Sequence, residues 1–190
     1  MNGYNLFSYW DVKISREVGQ MSKRILIAYA TRAGSTAEVA DAIGKKLSPS
    51  GIQVDVKPVK TVKNIGSYDA VILGTGIRAG QVYPEVKKIL QKHKQALSSI
   101  PVAYFVVCMS LKDNNEATRK IASGYLDSLR SLLSPVDVGL FAGKMDYSKL
   151  GFLARIIVRR MAKVPEGDFR DWKAIEVWAA NVLPKLEKKK

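Results

Sequence analysis

The residues with the clearest chemical potential are three hydroxyl side chains and a glycine, which lie close together in the pattern TxxGxT. They are Thr31, Gly34, Ser35 and Thr36. Hydroxyls and backbone amides at a helix start can close around a phosphate, because the amides point at the ligand and the helix dipole favours negative charge. The spacing therefore predicts an anion-binding loop, to which Arg32 adds positive charge.

This loop lacks the features of two common nucleotide-binding motifs. It has no lysine in the position that GxxxxGK[ST] requires, which argues against ATP or GTP binding by a P-loop. It also lacks the GxGxxG fingerprint of dinucleotide-binding proteins. We therefore expect the loop to hold a terminal phosphate monoester.

A second stretch that bears on chemistry is GTGIRAGQVYPE, which begins at Gly74. Its glycines at positions 74, 76 and 80 do not have GxGxxG spacing, and a helix is expected to begin only at Pro84. We interpret the stretch as a glycine-rich loop that lets backbone approach a flat ring closely. Two interpretations of Arg78 stay open. If the loop faces a ligand crevice, Arg78 would neutralise a reduced, anionic cofactor; if the loop is an ordinary strand-to-helix connection, Arg78 would be an exposed cation.

Five short apolar or alternating runs are predicted to be the strands that position these residues. The run at 52–59 alternates as a half-buried edge strand does, and the run at 101–109 is the most hydrophobic in the chain. In order, the runs are residues 24–30, 52–59, 70–73, 101–109 and 136–142.

Helical patterns separate these strands. One helix follows the first loop, and one begins at Pro84. A third is expected to run from a cap at Asn114 or Asn115 through Leu133, with Ile121, Tyr125, Leu129 and Leu132 on its apolar stripe. A closing helix at 172–183 is expected to bury Ile175, Trp178, Ala179 and Val182. The alternation predicts an α/β fold with a doubly wound, five-stranded parallel sheet and helices on both faces. The strand order assumed for this sheet is 2-1-3-4-5.

In open parallel sheets, ligands bind beyond the carboxyl ends of the strands, where the strand order reverses. With the predicted order, this crevice lies between the first and third strands. Three loops are expected to converge there: residues 31–36, 74–83 and 109–114.

One segment is additional to this alternation. It begins at Tyr147, ends at Val164 and contains no acid. Leu150, Leu153, Ile157, Met161 and Val164 fall on one helical face, and Arg155, Arg159, Arg160 and Lys163 fall on the opposite face. Two interpretations stay open: a basic amphipathic helix in a membrane interface, or a helix whose apolar stripe docks on its own domain.

The composition narrows the classes of function. A formal net charge of +14 predicts attraction to nucleic acid, anionic lipid or anionic small molecules. With one cysteine and one histidine, neither a disulfide framework nor a metal site is expected. Cys108 is interpreted as a buried small hydrophobe and His93 as a solvated residue of an exposed helix.

The 190 residues fit one domain, and no run reaches the roughly 18 apolar residues of a membrane span. We divide the chain into an arm at 1–22, a domain at 23–185 with an insertion at 146–168, and a lysine-rich tail at 186–190. The single cysteine fits a reducing compartment, so we expect a cytoplasmic protein, associated with the inner face of the membrane if the basic segment binds lipid.

Three stretches resemble a known family. They are TRAGST after the first strand, GTGIRAGQVYPEVKKIL after the third, and FAGKMDY followed by the basic insertion. Over residues 23–184 the chain resembles the flavodoxin-like domain family, and within it the menaquinone-dependent protoporphyrinogen IX dehydrogenase branch. One departure is that ordinary flavodoxins are acidic carriers with aromatic rings stacked on the flavin, whereas this basic chain has only Tyr83 near its ring loops.

The resemblance implies bound FMN, which would move hydride equivalents from a porphyrinogen to a quinone. It places the phosphate at Thr31, Arg32, Ala33, Gly34, Ser35 and Thr36. It places the isoalloxazine ring between two further sets of residues, which are Thr75, Gly76, Ile77, Arg78, Ala79 and Gly80, and Met109, Ser110, Leu111 and Lys112.

Two other functions stay open on the sequence. One is a flavodoxin-type electron-transfer protein or general quinone reductase that uses the same FMN with a protein or NAD(P)H donor. The other is a flavodoxin-like fold without flavin that binds nucleic acid or membrane, which the charge of +14 motivates. Of these two partners, nucleic acid is the less favoured, because the basic residues are scattered and the sequence offers no aromatic platform for bases.

Overall fold

The computed structural model describes residues 23–149, 151, 155–156 and 165–187. Its strands are β1 Arg24–Ala30, β2 Gln53–Pro58, β3 Ala70–Arg78, β4 Gln81–Val82, β5 Val102–Cys108, β6 Val138–Ala142, β7 Lys144–Met145 and β8 Gly167–Asp168. Its helices are α1 Ser35–Leu47, α2 Pro84–Lys92, α3 Lys94–Ser98, α4 Glu116–Gly124, α5 Asp127–Arg130 and α6 Trp172–Glu187.

The main sheet is parallel and has the order β2-β1-β3-β5-β6. This is the predicted 2-1-3-4-5 order, since β4 only extends the end of β3 as a short antiparallel hairpin. Every residue of β5 is buried, whereas the outer strand β2 is half-buried. The hydrophobicity of each run thus reflects its position in the sheet, because a central parallel strand is covered on both faces.

Two hydrophobic clusters cover the two faces of the sheet. One lies under α2 to α5, and the other lies under α1 and α6. In the second cluster, Phe105, Phe141 and Trp178 form a group of rings with centroids 5.6–6.4 Å apart. Contacts at this separation add to the stabilisation that apolar burial provides.

The third strand is longer than predicted. Sequence reasoning ended it before Gly74, yet β3 continues to Arg78. A Cβ on Gly74 would lie 2.1 Å from Cζ of Phe105, so this glycine is where the neighbouring ring packs against the strand. The glycine therefore marks a close approach within a strand instead of the start of a loop.

The prediction of one long helix through Leu133 is wrong. Asn115 does cap α4, through a reciprocal capping box with Thr118, but α4 ends at Gly124 and a separate short helix, α5, follows. The buried stripe begins at Ala122 and not at Ile121: Ala122, Leu126 and Leu129 are buried, whereas Ile121, which precedes the break, is 52% exposed.

The closing helix is present and longer than predicted. It continues to Glu187, with Pro184 inside it, and therefore extends into the stretch assigned to the tail. Ile175, Ala179 and Val182 are buried as expected, whereas Trp178 is only half-buried. The apolar stripe of this helix covers the same sheet face as α1.

The inserted segment begins and ends at a two-stranded antiparallel sheet, in which β7 pairs with β8. Most of the segment predicted to be an amphipathic helix lies outside the described residues; Arg155 and Ile156 are helical and exposed. The arm at 1–22 and residues 188–190 also lie outside them. Within the described ranges, no helix combines the length and apolar character needed to cross a membrane.

Candidate functional site

The phosphate loop, residues 31–36, connects β1 to α1. Gly34 has φ of +93°, in the left-handed region, and is the N-cap of α1 without any side-chain cap. The hydroxyl of Thr31 accepts a hydrogen bond from the Gly34 amide at 3.0 Å, which fixes the turn. Since Gly34 carries no side chain that could cap α1, the first-turn amides are, among the described residues, available to an anion.

The two hydroxyls at the start of α1 have different surroundings. Thr36 is buried, with 3% exposure, and its Oγ1 faces Gly76 of the neighbouring strand. Ser35 accepts a hydrogen bond from the backbone amide of Lys144 at 3.2 Å. Since Lys144 begins β7, the phosphate loop contacts the base of the insertion directly.

The cation of the loop is held by a neighbouring helix. The guanidinium of Arg32 donates to Oε1 of Glu85 at 2.6 Å and stacks on the ring of Tyr83 at 4.5 Å. Lys60 contacts the same carboxylate oxygen at 3.4 Å. A hydrogen bond from its own backbone and the bond from Arg32 hold the pKa of Glu85 below its ordinary value. Arg32 therefore lies at the outer side of the loop, bound to Glu85.

The stretch predicted to be a glycine-rich loop is a hairpin, which we call the ring-side hairpin, residues 74–83. The end of β3 pairs with β4, and Ala79 and Gly80 turn the chain with positive φ. Ile77 is half-buried and Arg78 is exposed in this hairpin. The loop interpretation was wrong because ladder pairing between positions 77–78 and 81–82 has no strong local signature in the sequence.

Thr75 organises this hairpin from the inside. It is fully buried, and its hydroxyl donates to the carbonyl of Gly76 at 2.8 Å and accepts from the amide of Tyr83 at 3.1 Å. A Cβ on Gly76 would lie 2.7 Å from the Tyr83 ring and 3.3 Å from Oγ1 of Thr36. The absence of a side chain at Gly76 thus allows the hairpin to pack against the phosphate loop.

The third loop, residues 109–112, is a 3₁₀ turn, Met109–Leu111, followed by Lys112. Leu111 is buried in the core, Met109 and Ser110 are half-buried, and Lys112 is exposed and paired with Asp113 at 3.4 Å. Of the side chains in this loop, those of Met109 and Ser110 are therefore the ones placed to line a crevice.

Tyr125 is a site residue that sequence reasoning missed. Its hydroxyl lies 3.4 Å from Oγ of Ser110, and its ring lies 3.8 Å from the Cβ position of Gly80. Tyr125 thus joins the third loop to the tip of the ring-side hairpin. The sequence pattern placed it on the stripe of a continuous helix, and only the break after α4 turns it towards these loops.

Cys108 and His93 complete the candidate residues. Cys108 is buried at the end of β5, and burial raises the pKa of its thiol, as a structural cysteine requires. His93 was expected to be solvated, but it joins α2 to α3 and is half-buried; burial lowers its pKa, and its Nε2 atom lacks a hydrogen-bond partner among the described residues. Within those same residues, no group of three or more His, Cys, Asp or Glu side chains is placed to hold a metal ion.

The contacts above bring the phosphate loop, the ring-side hairpin and the third loop together at one end of the sheet. The site combines the start of α1, where the N-cap residue Gly34 provides no side-chain cap, with Arg78 and Lys112, which are exposed on the two other loops. Such a site suits a ligand with a phosphate at one end and a flat ring at the other.

Comparisons with known proteins agree with this fold. A family model for the flavodoxin domain matches residues 26–171. The chain is 27% identical to protoporphyrinogen IX dehydrogenase [quinone] of Leishmania major, over 86% of this chain and 76% of that protein. It is 25% identical to the protein of the same name from Escherichia coli, over 87% of this chain and 97% of that protein.

Solved structures share the fold at lower sequence identity. A Fusobacterium nucleatum flavodoxin bound to flavin mononucleotide is 17% identical and covers 87% of this chain and 99% of its own, with a TM-score of 0.55. A flavodoxin from the domain Archaea is 16% identical, with the same coverage and a TM-score of 0.53. The fold and the match over most of the sequence establish that this chain belongs to the flavodoxin domain family.

Proposed function

We propose that this chain is an FMN-dependent oxidoreductase of the protoporphyrinogen IX dehydrogenase (quinone) type. The uncapped start of α1 at the phosphate loop is the observation that carries FMN binding. Two relatives with this name, each matching at least 86% of this chain, support the choice of substrates.

The residues present fit FMN. The left-handed turn at Gly34 directs the first amides of α1 to one point, where they would hold the phosphate. The ring would lie between the ring-side hairpin and the third loop, with Tyr83 and Tyr125 as the neighbouring aromatic side chains. At Gly80 the nearest side-chain atom, in the ring of Tyr125, lies 3.8 Å from the Cβ position, so the backbone there can approach a flat group.

Bound FMN supplies the two-electron chemistry, and the chain supplies binding, orientation and electrostatics. The net charge of +14 favours a substrate that carries carboxylates, as the propionates of a porphyrinogen do. Arg78 is exposed in the ring-side hairpin and Lys112 is exposed in the third loop, where both can attract carboxylates. No side chain of the protein needs to act as a nucleophile.

The test is an anaerobic spectrum of the purified protein reconstituted with FMN. We expect protoporphyrinogen to bleach the oxidised flavin absorbance and a menaquinone analogue to restore it. The protein without FMN, treated in the same way, is the control. Flavin that binds but stays oxidised with protoporphyrinogen would exclude this substrate.

A general quinone reductase is the second candidate, since the chain is 26% identical to NAD(P)H dehydrogenase (quinone) of Paraburkholderia phymatum over an alignment of 91 positions. The alignment covers 36% of this chain and is therefore less extensive than the matches above. Rapid reduction of the bound flavin by NADPH, without reduction by protoporphyrinogen, would favour this candidate. A flavodoxin-type carrier would instead require a protein donor.

We also propose that the basic segment between Tyr147 and Val164 contacts anionic membranes, where a menaquinone would be found. Its support is the sequence, which has cations but no acids in this segment. The full chain should sediment with phosphatidylglycerol vesicles at low salt and not with phosphatidylcholine vesicles. Equal binding to both would contradict the proposal.

A further inference from the structure

Arg170 joins the base of the insertion to the first turn of α1. It follows β8, and its side chain is only 3% exposed. Its Nε donates to Oδ1 of Asp168 at 2.7 Å, and its Nη1 donates to Oε2 of Glu38 at 2.7 Å. The guanidinium also stacks over the ring of Trp172 at 4.3 Å. A buried arginine with this many partners has a fixed orientation.

Glu38 connects Arg170 with the phosphate loop, because the carboxylate of Glu38 lies beside that loop. Oε1 of Glu38 is 3.7 Å from the Cβ position of Gly34, the N-cap of α1. A free carboxylate in this position would repel a phosphate dianion bound to the first amides of the helix. The guanidinium of Arg170 on the other carboxylate oxygen opposes that repulsion.

A second contact connects the same two regions independently of Arg170. The amide of Lys144, in β7, donates to Ser35 of the phosphate loop at 3.2 Å. Lys144 pairs with Asp168 in the β7–β8 sheet, so the partner of Arg170 belongs to the same small unit. The base of the insertion therefore contacts the start of α1 through both a backbone amide and a buried charge.

We propose that Arg170 is a positioning residue for phosphate recognition, which holds and neutralises Glu38 so that the phosphate loop accepts a dianion. The inference rests on the proposed FMN binding. It gives the base of the insertion a role in cofactor affinity, separate from any role of the insertion towards a substrate.

The test compares FMN with riboflavin, which has the same ring system without the phosphate. Dissociation constants for both are measured by flavin fluorescence quenching. Loss of the opposing charge should weaken FMN binding to Arg170→Gln by about tenfold. Riboflavin binding should change less than about twofold, since the uncharged ligand is not repelled by Glu38.

Two further variants separate charge from structure. Arg170→Lys keeps the positive charge and should retain most of the preference for FMN over riboflavin. The double variant Arg170→Gln with Glu38→Gln removes both charges and should restore FMN affinity. Arg24→Gln is the matched control, because Arg24 pairs with Asp55 at the opposite end of β1 and should leave the FMN-to-riboflavin ratio unchanged.

An equal loss of FMN and riboflavin binding in Arg170→Gln would show a structural role and overturn the proposal, as would an unchanged ratio. If Arg170→Gln fails to fold, the single variant Glu38→Gln provides the test. Its affinity for FMN relative to riboflavin should stay constant or rise, and a fall in this ratio overturns the proposal. A wild-type chain that binds no FMN would instead refute the proposed function itself.

Discussion

The phosphate loop and the ring-side hairpin lie side by side at the carboxyl ends of the strands, but different interactions hold them. The phosphate loop is shaped largely by its own residues, through the left-handed Gly34 and the bond from its amide to Thr31. The hairpin depends on distant partners: Phe105 packs on Gly74, and Tyr125 approaches Gly80. Changes in the hairpin should therefore reduce stability, and changes in the loop should mainly reduce ligand binding.

The largest effect is expected at Gly74. The substitution Gly74→Ala places a methyl group where the ring of Phe105 lies, since the Cβ position is 2.1 Å from Cζ. Overpacking of this kind should lower the free energy of unfolding by about 3 kcal/mol, measured by urea denaturation. Gly124→Ala is the control, because its Cβ position has no atom closer than 4.0 Å. A Gly74→Ala variant as stable as wild type would contradict the packing described.

The next effect is expected at Thr75, within the hairpin. Thr75→Val keeps the shape of the side chain but leaves the half-buried amide of Tyr83 without its 3.1 Å acceptor. Together with the lost bond from the buried hydroxyl to the carbonyl of Gly76, this should lower stability by about 2 kcal/mol, also measured by denaturation. Thr75→Ser retains the hydroxyl and should lose less. A Thr75→Ser variant that is the less stable of the two would argue against the hydrogen bond as the cause.

A smaller loss of stability and a larger loss of binding are expected in the phosphate loop. Gly34→Ala has space for its methyl group, with Glu38 at 3.7 Å, but φ of +93° is unfavourable for alanine. The strain should lower stability by about 1 kcal/mol. FMN affinity should fall by about tenfold as the turn relaxes, measured by fluorescence titration. Unchanged FMN affinity would show that the phosphate does not bind at this turn.

The smallest effect is a pH dependence at the boundary between the two regions. Because its own backbone amide and Arg32 lower the folded-state pKa of Glu85, the carboxylate adds stability above its ordinary pKa of 4.5. That stability is lost as the pH falls from about this value through the folded-state pKa, and the effect stays below about 1 kcal/mol because Arg32 is exposed. Denaturation from pH 7 to pH 3 should show a shallower acid decline for Glu85→Gln. Parallel profiles would exclude this ion pair as a contributor.

The sequence predicted the local structure of the phosphate loop better than that of the ring-side hairpin. TRAGST identified the turn between β1 and α1 because a strand end, a turn and a helix start are local features, and Pro84 marked the start of α2 correctly. The doubly wound parallel sheet followed from the alternation of strands and helices. The hairpin was mistaken for a loop, because the short pairing of β3 with β4 has no strong local signature and the burial of Thr75 depends on the neighbouring strands.

The same limit applies to Tyr125, Ile121 and Arg170. A continuous helical stripe placed Tyr125 and Ile121 in the core, but Ile121 is exposed on α4, and the hydroxyl of Tyr125, which directly follows the end of α4, lies 3.4 Å from Oγ of Ser110. Nothing in the local sequence separates Arg170 from the other basic residues near the insertion. Its importance depends on Glu38, which lies 132 positions away in the chain.

By itself, the sequence determined the order of strands and helices along the chain, the family resemblance and the turn at residues 31–36 between β1 and α1, because hydrophobic periodicity and turn residues act over short distances. Only the tertiary structure decided which residues surround the ring side of the site and which charges face the loop. Those features depend on packing between elements far apart in the chain, where a single glycine such as Gly74 or a single buried arginine determines how closely two elements approach.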